Sequence, residues 1–317
     1  MRVMAHRGYS GMYPENTMLA FEKAVEAGAD GIELDVHKTK DGVLVVHHDE
    51  RVDRTTDGTG RICDLTFDQL RRFNAAARWN GKFGVLPIPS FEEYCAWAAN
   101  QTLFTNIEIK TDNTFYPNIE QEVWDMICKY GLQDRVMFSS FNHVTLLKLR
   151  KIAPSVDVGA LVLEDGMVRV RPGDYCRESG FQAWHPAFAS LNDENVANCK
   201  AAGIAINVWT VNDMASLEQL HAWDCEGVAR RRRGVKTKEC RNAALLYNSR
   251  SIVRGFASVG RHEGSHVLRL REFLPRRTHG KNGSVSLHAF CVNAARLDSL
   301  KRNCQTCGSS ALVWRFL

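Results

Sequence analysis

The chain has 317 residues, of which 44% are apolar and 24% charged, a composition typical of a globular protein with one large core or a core and a small appendage. It contains no apolar run of the roughly 18 residues that suggest a membrane span, and it begins with no basic-then-apolar leader. We therefore expect a soluble, cytoplasmic protein without a membrane span. The net charge of +5 is unevenly divided, because residues 229–317 contain 19 Lys and Arg against 4 Asp and Glu, whereas residues 1–228 contain 22 against 32.

Residues 1–228 alternate short β-branched runs with helical patterns, which indicates a parallel sheet covered by helices on both faces. The predicted strands are residues 2–6, 31–36, 43–46, 103–110, 135–140, 156–163, 181–185 and 204–211. The predicted helices are residues 17–27, 66–73, 90–99, 118–130, 143–152, 193–202 and 213–222. Seven principal strands precede residue 211, and an eighth would close a TIM (β/α)8 barrel.

Two stretches depart from this α/β alternation. Residues 49–90 are rich in turn signals and predict a small insertion after the second strand. The eighth strand is atypical, because Glu226-Gly227-Val228 begins it and the run Arg230–Arg233 follows. Four arginines cannot fill a barrel interior, since unpaired buried charge is costly. We therefore place the barrel in residues 1–228.

Residues 229–317 form a basic tail of weak periodicity. The abrupt change near residue 229 suggests a reading-frame change, with a genuine basic extension as the alternative. The composition is typical of a solvated or disordered segment rather than of a segment that binds nucleic acid. Cys304 and Cys307 have the spacing of half a zinc site, but no well-spaced second pair accompanies them. We expect all ten cysteines to be reduced thiols, because neither the chain length nor a secretory leader suggests a disulfide scaffold.

The first chemistry-bearing motif is His6-Arg7-Gly8, at the carboxyl end of the first strand. The active sites of TIM barrels are built at that end of the strands. His6 can exchange a proton near neutral pH, and the planar guanidinium of Arg7 suits a phosphate. An ordinary histidine at a strand end is the alternative interpretation of this motif taken alone.

Carboxylates follow on two further strands. Glu33 and Asp35 are two residues apart, so both side chains point to the same face of their strand, and Glu108 has the same relation to Lys110. Carboxylates that converge inside a barrel repel each other unless a cation neutralises them. Oxygen ligands suit Mg²⁺ or Ca²⁺. Lys110 is expected either to pair with Glu108 or to contact a phosphate.

His48 lies after the short strand at residues 43–46 and is the candidate for a second acid/base, and Asp49 is expected to orient either His48 or a neighbouring loop. The adjacent His47 is the alternative candidate for this second acid/base. Two histidines, three carboxylates and two cations at strand ends suit the cleavage of a phosphodiester: the metal and the cations neutralise phosphoryl charge. One histidine accepts a proton and the other donates one.

In this combination the chain resembles the glycerophosphodiester phosphodiesterase family. The stretches that carry the resemblance cover about residues 2–225 in the family's order. They are His6-Arg7-Gly8, Pro14-Glu15-Asn16-Thr17, Glu33-Leu34-Asp35-Val36, His48-Asp49, Arg54-Thr55-Thr56, Ile88-Pro89-Ser90, Glu108-Ile109-Lys110, Ser140-Phe141 and Trp209-Thr210-Val211-Asn212. The resemblance fails after Val228, where the family usually closes its barrel with an apolar strand followed by proline.

The resemblance implies a metal-dependent TIM-barrel hydrolase of glycerophosphodiesters that releases glycerol 3-phosphate and an alcohol. It implies metal ligands at Glu33, Asp35 and Glu108 for Mg²⁺ or Ca²⁺, an acid/base pair at His6 and His48, and phosphate contacts from Arg7 and Lys110. Trp209 is implied as an apolar wall for the glycerol, with core packing as the alternative. The alternative functions are lysophospholipid hydrolysis and nucleic-acid binding through the tail. A further alternative is an open barrel without activity.

Overall fold

The computed structural model describes residues 1–163 and 171–230. The strands there are β1 (Arg2–His6), β2 (Gly31–Lys38), β3 (Leu44–Val46), β4 (Phe104–Ile109), β5 (Val136–Ser140), β6 (Val158–Val162), β7 (Ala183–Pro186), β8 (Ala205–Val208) and β9 (Gly227–Arg230). The α-helices there are α1 (Met18–Glu26), α2 (Phe67–Leu70), α3 (Phe91–Ala98), α4 (Ile119–Lys129), α5 (His143–Ile152), α6 (Pro172–Ser179), α7 (Asp193–Ala202) and α8 (Met214–Ala222).

The strands form one closed barrel. Each strand except β3 pairs in parallel with its neighbours, and β1 pairs with β2 on one side and with β9 on the other. Helices lie between consecutive parallel strands, as the crossover connections of a parallel sheet require. The predicted TIM (β/α)8 barrel is therefore confirmed.

Alternation along each strand separates the barrel's two faces. On β2, Ile32, Leu34 and Val36 are fully buried members of the main hydrophobic core, which lies between the strands and the helices. Glu33 and Asp35 point to the other face, toward the barrel interior. Burial of the outward apolar side chains stabilises the barrel by about 1.5–3 kcal/mol for each large residue.

The predicted insertion is confirmed between β3 and α3. Its residues have a small hydrophobic core of their own, built from Val45, Val52, Ile62, Leu70, Ala75 and Ile88. Strand β3 pairs antiparallel with the end of β2, Val46 lying opposite Val36. This pairing brings the residues that follow β3 to the carboxyl end of the barrel. The insertion then returns to the barrel through α3, whose predicted capping box at Ser90 and Glu93 is present.

The barrel is closed by β9, so the alternative of an open barrel that lacks its eighth parallel strand is wrong. Strand β9 pairs with β8 and β1 and continues past Val228 to Arg230. Alternation places Val228 and Arg230 on the outward face, and Ala229 on the interior. The first arginine of the run is therefore buried without entering the barrel interior. Arg231–Arg233, the tail, Cys304, Cys307 and the reading-frame hypothesis lie outside the described residues.

Helix α6 was absent from the sequence-based prediction. It begins with Pro172 in its first turn and ends at Ser179, and the next residue, Gly180, adopts a left-handed conformation. Proline at the start and glycine just past the end are the usual signals of a helix. The polar character of the segment masked the pattern, because only Pro172, Gly173 and Cys176 of this described helix are buried.

None of the helices in residues 1–163 and 171–230 combines the length and the apolarity needed to span a bilayer. The cysteines in the same residues are free thiols, as predicted; they are Cys63, Cys95, Cys128, Cys176, Cys199 and Cys225.

Candidate active site

The predicted site residues meet at the carboxyl ends of β1, β2 and β4. A cavity of about 1270 Å³ runs from these ends through the barrel interior to Arg2, Asp30 and Glu226 at the opposite end. Six of the eight predicted site residues line it, and they are His6, Glu33, His48, Glu108, Lys110 and Trp209. The other two, Arg7 and Asp35, lie behind the lining and are paired with each other, with Arg7 Nε 3.7 Å from an Asp35 oxygen.

Three carboxylates converge in this cavity. Oxygens of Glu33, Asp35 and Glu108 lie within 4.8 Å of one another, and all three residues are buried. The register explains the meeting, because Asp35 on β2 lies directly opposite Glu108 on β4. Sequence spacing predicted the pair on β2, and the parallel register adds the third carboxylate.

The carboxylates titrate differently. Burial, and then the charges of Asp35 and Glu108, raise the pKa of Glu33 well above its usual range. Burial also raises the pKa of Glu108. Burial would raise the pKa of Asp35 too, but His48, Arg7 and Lys110 hold it well below its usual range.

These residues fit a divalent cation. They offer three hard oxygen donors in one buried cluster, and Asp35 Oδ1 is buried with no hydrogen-bond partner. Lys110 Nζ lies 4.0 Å from that oxygen. An unpaired buried carboxylate oxygen is costly, and Mg²⁺ and Ca²⁺ both take carboxylate ligands.

Two cations border the carboxylates. Lys110 Nζ donates to Glu108 Oε1 at 2.6 Å, so the predicted ion pair is present. Burial would lower the pKa of Lys110, but Glu108 and Asp35 raise it above its usual range. Arg7 adopts a left-handed backbone conformation with φ of 58°, and its backbone N–H donates to Glu33 Oε2 at 2.9 Å.

The two candidate acid/base histidines occupy different surroundings. His6 is buried, and its Nε2 lies 3.7 Å from Glu33 Oε2. His48 is partly exposed, and its Nδ1 lies 2.6 Å from Asp49 Oδ1. Asp49 contacts Nδ1 of His48 and thereby restrains the ring, and Nε2 is the ring nitrogen outside this contact.

A charge bridge that the sequence-based analysis missed joins the two histidine-bearing loops. Glu15 accepts hydrogen bonds from Arg7 at 2.9 Å and from Arg54 at 2.6 Å, and Arg54 also donates to Asp49. Burial opposes ionisation, but the hydrogen bond from Arg54 and the charge of Arg7 lower the pKa of Glu15 to about 2. Glu15 and Arg54 were noted only as parts of family motifs, and the signal lay in those motifs.

An aromatic wall faces the carboxylates. The rings of Trp209 and Phe141 meet edge to face at 5.7 Å, and Lys110 Nζ lies 5.7 Å from the centre of the Phe141 ring. The indole N–H of Trp209 donates to the His185 carbonyl oxygen at 2.9 Å, which fixes the ring. Trp209 therefore lines the cavity rather than serving only as core packing.

Comparisons with known proteins agree with this geometry. The model of the Glycerophosphoryl diester phosphodiesterase family matches residues 6–230. A glycerophosphodiester phosphodiesterase of Caldanaerobacter subterraneus is 38% identical over 226 residues, which cover 71% of this chain and 92% of the relative. Glycerophosphodiester phosphodiesterase 1 of Bos taurus is 48% identical, with 66% of this chain and 71% of the relative covered.

Among solved structures, a phosphodiesterase of Oleispira antarctica in complex with the product sn-glycerol-3-phosphate has a similar fold. The TM-score is 0.66 at 24% identity, and the match covers 77% of this chain and 96% of that one. At this identity the likeness shows the fold alone.

Proposed function

Because this chain belongs to the glycerophosphoryl diester phosphodiesterase family, whose members hydrolyse glycerophosphodiesters, we propose that it releases glycerol 3-phosphate and an alcohol by metal-dependent, two-histidine catalysis. The observation that carries the proposal is the meeting of three buried carboxylates, two cations and two histidines at one end of the barrel, where all but Arg7 and Asp35 line the cavity. The curated relatives, which are named glycerophosphodiester phosphodiesterases, support glycerophosphodiesters as the substrate class here.

Glu33, Asp35 and Glu108 would hold the divalent metal, Mg²⁺ or Ca²⁺. When bound, such an ion neutralises charge on the phosphoryl oxygens. The charges of Lys110 and Arg7 keep Asp35 ionised and therefore ready to act as a ligand. Asn16 donates to the second oxygen of Asp35 at 2.8 Å and restrains its rotation.

Arg7 and Lys110 bind the phosphate. Both side chains are charged and buried beside the carboxylates. Because both groups are buried, their charges act on the phosphoryl oxygens more strongly than they would in bulk solvent. The fork of Arg7 is held by Glu15, and Lys110, a point charge, is held by Glu108.

His6 and His48 transfer the protons. One histidine accepts the proton of the glycerol 2-hydroxyl as that oxygen attacks phosphorus, and the other protonates the departing alkoxide. The bond to the alcohol breaks, and a cyclic glycerol phosphate remains. Water then opens the ring with the histidine roles reversed, and glycerol 3-phosphate is released. The Asp49 contact leaves Nε2 of His48 as the atom that exchanges the proton.

Trp209 and Phe141 pack against the glycerol carbons and help to exclude water from them. A lysophospholipid is the second candidate substrate, because the cavity lining continues from Phe141 to Leu161 and to Leu163, which is 62% exposed. An acyl chain would cover that apolar rim. A higher kcat/KM for lysophosphatidylcholine than for glycerophosphocholine would favour this substrate.

The first experiment measures release of glycerol 3-phosphate from glycerophosphocholine with Mg²⁺ or Ca²⁺, and then with excess chelator. We expect release with metal and none with chelator. Glu108→Gln should weaken metal binding measured by calorimetry and abolish release. Glu122→Gln, which removes a surface ion pair with Lys38, is the matched control and should keep both. Equal release with and without chelator would contradict metal dependence.

A further inference from the structure

We propose that His37 and His47 are positioning residues that hold two consecutive peptide carbonyls, those of His48 and Asp49, and thereby aim the His48 imidazole into the cavity. Neither residue has a part in the chemistry described above. The inference rests on the proposed role of His48, because positioning matters only if that ring transfers a proton.

His37 holds the first carbonyl. It lies on β2, on the same face as Asp35, and is fully buried. Its Nε2 lies 3.1 Å from the carbonyl oxygen of His48, and its Nδ1 lies 3.0 Å from the hydroxyl of Tyr116. A carbonyl can only accept, so Nε2 carries the proton and donates it, while Nδ1 accepts from Tyr116. The two partners together select one neutral tautomer.

His47 holds the second carbonyl with the opposite nitrogen. Its Nδ1 lies 2.8 Å from the carbonyl oxygen of Asp49, so Nδ1 is the donor. Its Nε2 accepts from the hydroxyl of Thr55 at 3.0 Å. His47 is 5% exposed and has both ring nitrogens engaged, which makes it unsuited to the acid/base role that the sequence left open to it.

The segment needs such support because it lies outside the sheet. Strand β3 ends at Val46, and residues 48–50 form a bend in which His48 and Asp49 lie outside the backbone–backbone hydrogen bonding of the sheet. Rotation of the His48–Asp49 peptide would move the imidazole away from its 2.6 Å contact with Asp49. A small displacement of a catalytic group can cost about a hundredfold in rate. Donors from rigid β2 and from the start of the segment itself remove that freedom.

The opposite tautomers give a crossover test. Glutamine places its amide nitrogen near the position of Nε2, and asparagine places its own near Nδ1. We expect His37→Leu and His47→Leu each to lower kcat for glycerophosphocholine about 10- to 100-fold, as loss of a supporting contact does, with little change in KM. Gln should restore most of the activity at position 37 and Asn should not. At position 47 the order should be reversed.

A double-mutant cycle tests whether the effect passes through His48. His37→Leu should cause no further loss in a His48→Ala background, measured in single turnovers with excess enzyme. His143 offers a matched control, because its ring nitrogens also contact a tyrosine hydroxyl and a carbonyl oxygen, those of Tyr175 and Leu161. The effect of His143→Leu should multiply with that of His48→Ala, since interactions through separate contacts are independent.

Multiplicative losses for His37→Leu in the His48→Ala background would overturn the positioning inference and leave the proposed function standing. So would equal rescue by Gln and Asn at both positions, with thermal unfolding midpoints at the wild-type value. Wild-type turnover by His48→Ala would instead refute the proposed acid/base role, and the inference with it. If the leucine variants do not fold, the comparison of Gln with Asn still gives the answer.

Discussion

The two faces of β2 differ as much as any two regions of the molecule. The outward face carries Ile32, Leu34 and Val36, which are fully buried in the main core. The inward face carries Glu33 and Asp35, which are equally buried among other charges. The same short strand therefore supplies stability on one side and unfavourable electrostatics on the other. The outer face therefore sustains a cluster of charges that would not fold on its own.

The largest effect is expected from the inward side of the barrel, at His6. Replacement of His6 by Asn removes the proton-transfer group but keeps a polar side chain of smaller size. General acid–base catalysis contributes about 10²- to 10⁴-fold, so we expect a loss of that order in kcat with glycerophosphocholine. The thermal unfolding midpoint should stay near that of the wild type. A full loss of activity together with unfolding would contradict the assignment of catalysis to the inward face and of stability to the outward face.

On the outward face, Leu34→Ala should do the opposite. Leu34 is fully buried, and removal of a buried leucine side chain costs about 2–5 kcal/mol. Urea titration should report that loss in the free energy of unfolding. The folded fraction should keep nearly the wild-type kcat, since Leu34 points away from the cavity. A hundredfold fall in kcat at full folding would mean that the outer face controls the chemistry.

The charge bridge gives a smaller effect. Arg54→Met removes the donor shared by Glu15 and Asp49. We expect kcat to fall about 10- to 100-fold, in the range seen for partners of catalytic ligands, because Asp49 then restrains His48 less. Arg51→Met serves as the control, since Arg51 pairs only with nearby Asp53 among the described ion pairs. Similar losses in both variants would contradict a specific role for the bridge.

The smallest effect concerns stability against pH in metal-free protein. Burial and neighbouring carboxylates raise the pKa of Glu33, so the folded protein binds its proton more tightly than the unfolded chain. The resulting stabilisation is present below the ordinary pKa of 4.5 and is lost as the pH rises through the raised pKa. With chelator, we expect the free energy of unfolding to fall across that window by up to about 1.4 kcal/mol for each step of one in pH.

Glu33→Gln should flatten that pH dependence, because glutamine does not titrate. Added Mg²⁺ or Ca²⁺ should also reduce it in the wild type, since a bound cation favours the ionised carboxylates. An identical slope in the variant and the wild type, both measured with chelator, would place the titration elsewhere in the chain.

Much of this site was predictable from short-range pattern. The two-residue spacing of Glu33 and Asp35 places both side chains on the same face of their strand. His6 was predicted as a site residue because it stands at the carboxyl end of the first strand. The apolar periodicity likewise located most helices and seven strands. These features depend on neighbours within a few positions, where backbone geometry alone decides which side chains share a face.

The remaining features depend on contacts that no local pattern encodes. Glu15 and Arg54 are 39 residues apart in the chain and meet only through the packing of two loops. The contact of His37 Nε2 with the carbonyl oxygen of His48 depends on the antiparallel pairing of β2 with β3. Arg230 was expected to break the eighth strand because its charge was considered without the strand's alternation, which turns it away from the interior.

The neighbouring positions of β1 and β9 have a consequence for how the protein is made. The two strands are far apart in the chain but pair directly, Arg2 lying opposite Gly227. At common rates of synthesis, one edge of β1 then waits on the order of ten seconds or more for its partner to leave the ribosome. An uncovered strand edge is a template for association with other chains. The newly made protein is therefore exposed to aggregation at β1 until the residues near 227 have been made.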